Sequence, residues 1–167
     1  MMPLYLDIET DWRRRITVIG LCHRGRFRQL VGGQITAAGL QRALPRTAAL
    51  YTFNGHCFDL PVIRQQLGVD LRQRYRSVDL RYSCKARGLT GGQKAIELRL
   101  GIARELPGMD GRDALSLWQQ YQDDGDDGAL RLLLDYNRED VMNLERIHRL
   151  LDRGDGAGPG AFHRSTR

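Results

Sequence analysis

Cysteine is scarce in this chain of 167 residues, and its placement excludes two kinds of site. Cys22, Cys57 and Cys84 are dispersed, without the Cys-x-x-Cys spacing of a zinc ligand set. An odd, scattered set is typical of reduced thiols rather than of a disulfide framework. We therefore expect a cytoplasmic protein without structural zinc.

Long apolar runs are also missing. No stretch of the sequence is long enough to span a bilayer, and there is no signal-peptide pattern or internal repeat. The length fits one domain with a sizeable core, which we place at residues 1–153. The Gly-rich segment 154–167 has no hydrophobic periodicity, so we expect a disordered tail.

Lysine is nearly absent, because Lys85 and Lys94 are the only two. Residues 1–104 contain 18 Lys/Arg and 7 Asp/Glu, a net charge of +11, whereas residues 105–167 contain 8 and 13, a net charge of −5; together they give the overall +6. A basic first part suits a polyanionic partner such as nucleic acid. The alternative is that arginine is simply the general surface cation of this protein.

The acidic residues that stand out occur at three separated places. The first is Asp7-Ile8-Glu9-Thr10, at the end of an apolar run. Residues 3–9 are predicted to form a strand, which puts Asp7 and Glu9 on the same face. Two carboxylates on one face repel each other unless a cation lies between them. The alternative is that the strand ends here and both acids are solvated.

The second place is Asp59, in the segment Asn54-Gly55-His56-Cys57-Phe58-Asp59-Leu60-Pro61. It follows a predicted strand and a turn at Gly55. Asp is a favoured N-cap and Pro suits a first helical turn, so Asp59 is either a helix cap or a ligand.

The third place combines Tyr136 and Asp140 on a predicted helix. The two residues lie four apart, on the stripe formed by Leu133, Leu144, Ile147 and Leu151. Most helical acids face solvent, as we expect of Glu139, but Asp140 interrupts an apolar stripe and needs a partner. That partner is either a cation or a neighbouring backbone group.

The periodicity predicts an α/β protein with a mixed five-stranded sheet flanked by helices. Three strands joined by short hairpin connectors come first, and two strands that alternate with helices follow. The predicted strands are Leu4–Thr10, Thr17–His23, Arg26–Val31, Ala48–Phe53 and Ser77–Tyr82. The first two predicted helices are Ala37–Leu44, capped by Thr36, and Leu60–Leu67, ended by Gly68. A third is predicted to begin at a Thr90/Gln93 capping box and to end at Gly101. The last two are Ala114–Tyr121 and Ala129–Leu151, separated by a loop at Asp123–Asp127.

These motifs carry a resemblance to a known family. Asp-x-Glu-Thr, Asn-Gly-x-x-Phe-Asp-x-Pro and Tyr-x-x-x-Asp, in that order, resemble the DEDD 3′→5′ exonucleases with a tyrosine in the third motif. The sequence is most similar to the bacterial ribonuclease-H-like family of predicted exonucleases, which also shows the segment found here as Gln93-Lys94-Ala95-Ile96-Glu97 before Leu100-Gly101-Ile102. The resemblance covers about residues 3 to 151 and implies the ribonuclease-H-like fold, with three antiparallel and two parallel strands.

The resemblance also implies a set of site residues. Asp7, Glu9, Asp59 and Asp140 would bind two Mg²⁺ or Mn²⁺ ions, because hard oxygen ligands favour these ions over zinc. The hydroxyl of Tyr136 would orient the attacking water, although Tyr136 could instead be a core aromatic.

A second group of residues would hold the nucleic acid. Thr10, Trp12, Asn54 and Phe58 flank the acids and are expected to contact the 3′ end, with stacking on the aromatic rings. Trp12 could equally be a buried hairpin residue. Lys94, near a helix start, is expected to bind backbone phosphate, and its alternative is a solvated surface lysine.

The resemblance therefore implies a metal-dependent exonuclease that releases 5′-mononucleotides from the 3′ end of DNA or RNA. A non-catalytic nucleic-acid-binding subunit of a repair or processing assembly is the competing hypothesis. A third is an enzyme of the same fold that cuts internally.

Overall fold

A computed structural model of the chain describes residues 2–46 and 48–156. Its five strands are β1 (Pro3–Thr10), β2 (Ile16–His23), β3 (Arg26–Val31), β4 (Ala49–Thr52) and β5 (Arg76–Asp79). They form one sheet in the order β3-β2-β1-β4-β5. β1, β2 and β3 pair antiparallel, whereas β4 pairs parallel with both β1 and β5. The predicted mixed sheet is confirmed, and β1 lies at its centre.

The helices cover both faces of this sheet. A 3₁₀ turn at Gly32–Gln34 precedes α1 (Ala37–Ala43), and α2 (Asp59–Leu67) and α3 (Leu71–Arg74) lie between β4 and β5. After β5 come α4 (Leu80–Lys85), α5 (Gln93–Arg99), α6 (Gly111–Asp124) and α7 (Asp127–Gly156). Thr36 caps α1 and Gly68 ends α2 in the left-handed conformation, as predicted.

The alternation of β1 separates its apolar and polar side chains. Leu4, Leu6 and Ile8 are buried in the cluster that also contains side chains of α1 and α2. Tyr5 is buried in a second cluster, with residues of α7 such as Leu144. Asp7 and Glu9 follow Tyr5 at intervals of two and therefore share its face. The strand thus presents both carboxylates to α7.

Two local predictions are wrong. The strand predicted at Ser77–Tyr82 ends at Asp79, because the Asp79 carboxylate accepts a hydrogen bond from Arg81 N (3.0 Å) and starts α4. The Thr90/Gln93 capping box does not form: Gly92 is the N-cap of α5 without a side-chain bond, and the Gln93 amide is used elsewhere.

The last two helices are longer than predicted. An Asp110/Asp113 capping box starts α6 three residues earlier, and only Gly125 and Asp126 separate α6 from α7. α7 continues to Gly156, beyond the predicted end at Leu151. The rest of the predicted tail, residues 157–167, lies outside the described residues. Among the residues that are described, no helix is long and apolar enough to cross a membrane.

Candidate active site

Three carboxylates from two distant parts of the chain converge on one point. Asp7 and Glu9 of β1 and Asp140 of α7 each offer an oxygen, and these three oxygens lie within 4.8 Å of one another. Glu9 is buried, while Asp7 and Asp140 keep partial exposure. The cluster is therefore tightly packed but open to solvent on one side.

Asn137, one turn before Val141 on α7, holds the two acids of β1. Its side-chain amide donates to Asp7 Oδ2 (3.0 Å) and more weakly to Glu9 Oε1 (3.5 Å). Its own Oδ1 accepts from Gln29 Nε2 (3.0 Å) on β3. Asn137 is fully buried, so this amide fixes α7 against the sheet at the acidic cluster.

The close approach of α7 depends on a glycine in the neighbouring strand. Gly20 of β2 is paired with Asp7 in the sheet. A Cβ at Gly20 would overlap Oδ1 of Asn137 and lie 2.8 Å from Cγ2 of Val141. Only a residue without a side chain lets α7 approach this closely.

Asp59 stands beside the cluster, outside the set of three. It is the first residue of α2 and is buried, with 4% exposure. Its Oδ1 accepts from the backbone N–H of Ile8 (3.1 Å), between the two acids of β1. The alternative that Asp59 caps α2 is wrong, because Phe58 is the N-cap and no side chain caps this helix.

Asp140 is paired with Arg104 instead of a neighbouring backbone group. Arg104 Nη2 lies 2.6 Å from Asp140 Oδ1, and Nη1 lies 2.7 Å from Oε2 of Glu97 on α5. Glu139 also contacts Nη2 of Arg104 (3.2 Å) and accepts from the backbone N–H groups of Glu105 and Leu106. The expectation that Glu139 faces solvent is therefore wrong, since its side chain is only 10% exposed.

The Tyr136 side chain has both a packing and a polar environment. It is 5% exposed and packs with Val18, Ala114 and Leu133, so the core-aromatic alternative describes its ring correctly. Its hydroxyl, however, accepts a hydrogen bond from Lys94 Nζ (3.0 Å), whose ammonium lies 4.6 Å from the ring centroid. Packing fixes the ring, and the lysine fixes the hydroxyl.

The carboxylates raise one another's pKa. Burial, followed by the negative charges of Glu9, Asp59 and Asp140, raises the pKa of Asp7 well above its usual value. Burial, followed by the charge of Asp140, raises the pKa of Glu9 to about 8. For Asp59 burial is again the main cause, and its pKa rises to about 7. The protein without a bound cation thus holds its acids at a free-energy cost.

This environment fits divalent metal ions. The four acids carry four negative charges when ionised; Arg104 balances that of Asp140, and the amide of Asn137 adds no charge beside Asp7 and Glu9. Carboxylate oxygens without nearby sulfur or imidazole ligands are the donor set that Mg²⁺ and Mn²⁺ prefer. Asp7, Glu9, Asp59 and Asp140 are the residues that would hold such ions.

The residues predicted to contact nucleic acid lie near this site to different degrees. Thr10 is the last residue of β1 and Trp12 follows it, and Asn54 and Phe58 follow the carboxyl end of its parallel neighbour β4, so all four lie at the same end of the sheet. Trp12 is 59% exposed, so the alternative of a buried hairpin residue is wrong. Phe58 is half-buried against the core.

Asn54 and Lys94 have intramolecular partners. Asn54 adopts a left-handed conformation (φ 60°), and its side chain accepts from Arg81 Nη1 (2.6 Å). Lys94 also donates to the carbonyl of Met109, so the alternative of a freely solvated lysine is wrong. Binding of phosphate by Lys94 stays a prediction.

Sequence reasoning missed Gly20, Asn137, Arg104 and Asp79. The last is a buried acid that accepts from the backbone N–H groups of Asn54 (2.8 Å) and His56 (3.1 Å), and so fixes the turn before Asp59. Asn137 does interrupt a hydrophobic pattern, because it lies four residues from both Leu133 and Val141 on the buried face of α7. That position was the signal that could have found it.

Comparison with known proteins gives one family. A family model described as the RNase H superfamily matches residues 4–152, which include every acid of the site. No curated protein sequence matches the chain.

Proposed function

The chain belongs to the RNase H superfamily, and from that premise we propose that it is a metal-dependent 3′→5′ exonuclease of the DEDD type with a tyrosine in the third motif. The substrate is the 3′ end of a nucleic acid, which we expect to be single-stranded, and the products are 5′-mononucleotides. The observation that carries this proposal is the convergence of Asp7, Glu9 and Asp140 beside Asp59 and Tyr136.

Bound divalent ions would supply positive charge beside the scissile phosphate. They would also lower the pKa of a water molecule, so that it can act as a nucleophile at neutral pH. The protein supplies a fixed arrangement of ligands. Asn137 holds Asp7 and Glu9 together although they repel each other. The Ile8 backbone holds Asp59 at the same strand. Because these contacts exist before substrate arrives, little reorganisation is needed at the moment of reaction.

Tyr136 acts as a donor and not as a base. Burial and the charges of Asp140, Glu9 and Asp7 raise the pKa of Tyr136 far above its usual value, so the phenol stays neutral. Its oxygen accepts from Lys94, which leaves the phenolic proton free to be donated to the attacking water or to a phosphate oxygen. The hydroxyl thus orients a reactant without removing a proton from it.

The arrangement of the sheet supports an approach path for the 3′ end. The carboxyl ends of β1 and β4 place the exposed ring of Trp12 and the half-buried ring of Phe58 at the end of the sheet that follows the acids. Stacking on such rings is worth about 1–3 kcal/mol per base and tolerates any sequence.

The direction of degradation tests this proposal against its two competitors. We would incubate the protein and Mn²⁺ with a 5′-labelled single strand, with the same strand blocked at its 3′ end, and with a circular single strand. The proposal predicts a ladder shortened from the 3′ end, with the blocked and circular strands intact. Cleavage of the circle would identify an internal nuclease, and binding without any cleavage would identify a non-catalytic subunit.

A further inference from the structure

Two polar side chains of the segment Gln93–Arg104, Gln93 and Arg104, contact α7, and Glu97 joins them. Gln93 Nε2 donates to the backbone carbonyl of Asp140 (2.9 Å) and to Glu97 Oε1 (2.9 Å). Glu97 Oε2 in turn accepts a hydrogen bond from Arg104 Nη1, and the same guanidinium pairs with the Asp140 carboxylate. α5 and the loop after it therefore bond to both the backbone and the side chain of Asp140.

The Arg104 guanidinium is held independently of Asp140. Glu97 is fully buried, and its two oxygens are taken by Gln93 and Arg104. Glu139 contacts the guanidinium and also fixes the backbone immediately after it. With its side chain only 6% exposed, Arg104 is a fixed donor and not a mobile surface cation.

The contact to Asp140 leaves that carboxylate able to act as a ligand. Arg104 engages Oδ1 of Asp140, so Oδ2 is available for a cation. This contact is a single charge-assisted hydrogen bond from a guanidinium that Glu97 and Glu139 hold in place, so it fixes the position of Oδ1 more firmly than a flexible ammonium would. Partners of this kind behind metal ligands set the orientation of the ligand and hence the affinity for the metal.

We propose that Arg104, anchored by Glu97, is a positioning residue that orients Asp140 for divalent metal binding. This inference rests on the proposed function, because it assumes that Asp140 is a metal ligand. It assigns a role to Glu97 and Arg104, in the segment whose lysine, Lys94, contacts Tyr136.

Metal affinity, measured by calorimetric titration of Mn²⁺ into the metal-free protein, tests the inference without use of turnover. Arg104→Lys keeps one positive charge but cannot span Glu97 and Asp140 together. The double variant Arg104→Met with Glu97→Gln removes the pair without leaving Glu97 buried and unpaired. We expect both to bind Mn²⁺ about 10- to 100-fold more weakly than the wild type. Arg99→Met, at an exposed arginine at the end of α5, the helix that carries Glu97, is the control and should bind Mn²⁺ normally.

A purely structural role gives a different result, in which the metal-free variants melt at a lower temperature but bind Mn²⁺ with wild-type affinity. That result would overturn the inference, as would tighter binding, which would mean that Arg104 competes with the ion. If the double variant does not fold, Arg104→Lys decides between these outcomes. A wild-type protein that binds no Mn²⁺ would overturn the proposed function itself, so the two failures are distinguishable.

Discussion

Gly20→Ala is the substitution whose effect follows most directly from the geometry of the site. The added methyl group would overlap Oδ1 of Asn137 and lie 2.8 Å from Cγ2 of Val141, both buried on α7. Overpacking of this kind costs about 1–3 kcal/mol, and the loss of buried hydrogen bonds around Asn137 adds about 1–3 kcal/mol. We therefore expect a loss of roughly 2–6 kcal/mol in the free energy of unfolding.

For a protein of this size, 1 kcal/mol shifts Tm by roughly 2–4 °C, so the expected decrease is on the order of 10 °C in a thermal melt. The matched control is Gly33→Ala, since a Cβ at Gly33 meets nothing within 4 Å. In an Asn137→Ala background, Gly20→Ala should cost much less, because one of its two clashes is gone. A Tm within about 2 °C of the wild type, in the otherwise unchanged protein, would mean that α7 does not need this close approach to β2.

Three further predictions concern the charges and the hydroxyl of the site. Because Asp59 and Glu9 have pKa values raised to about 7 and about 8, the folded state binds more protons than the unfolded state from about pH 4 to about pH 8, and metal-free stability should fall over this window by at least about 1 kcal/mol per pH unit and level off above it; melts in chelator should show this and melts with Mg²⁺ should not, and a rise in metal-free Tm over this range would contradict it. Tyr136→Phe keeps the packing and removes the hydroxyl, so kcat should fall by one to two orders of magnitude with little change in KM; an unchanged kcat would leave Tyr136 only its packing role. Lys94→Ala should raise KM similarly for all sequences and reduce the salt slope of binding by about one unit or less; an unchanged slope would exclude a phosphate contact.

The sheet could be predicted from the sequence because its signals are local. The sequences of β1, β2 and β3 either alternate apolar and polar residues or are continuously apolar, and short connectors separate them. Their observed ends differ from the predicted ends by one residue at most. The end of β5 could not be predicted in the same way. Leu80 and Tyr82 continue the alternating apolar pattern of the strand. The start of α4 instead depends on the capping hydrogen bond from Arg81 N to the Asp79 carboxylate.

The acids of the site were identifiable because each is an acid in an apolar context. Asp140 interrupts a helical stripe, and Asp7 and Glu9 end a buried strand. Arg104 was not identifiable, because an arginine after α5 looks like any of the other arginines of this chain until Glu97 and Asp140 are brought to it from 7 and 36 residues away. Glu139 was assigned to solvent for the same reason, since the loop that covers it has no sequence signal.

The most direct test of the account compares Asp7→Asn with Asp135→Asn, an exposed acid of α7, on a 5′-labelled single strand with Mn²⁺. The wild type and Asp135→Asn should both shorten the strand from its 3′ end. Asp7→Asn should leave it intact while melting, without metal, at or above the wild-type temperature, because one of the repelling carboxylates is gone. Degradation by folded Asp7→Asn at the wild-type rate would contradict the central claim that these acids form the catalytic metal site.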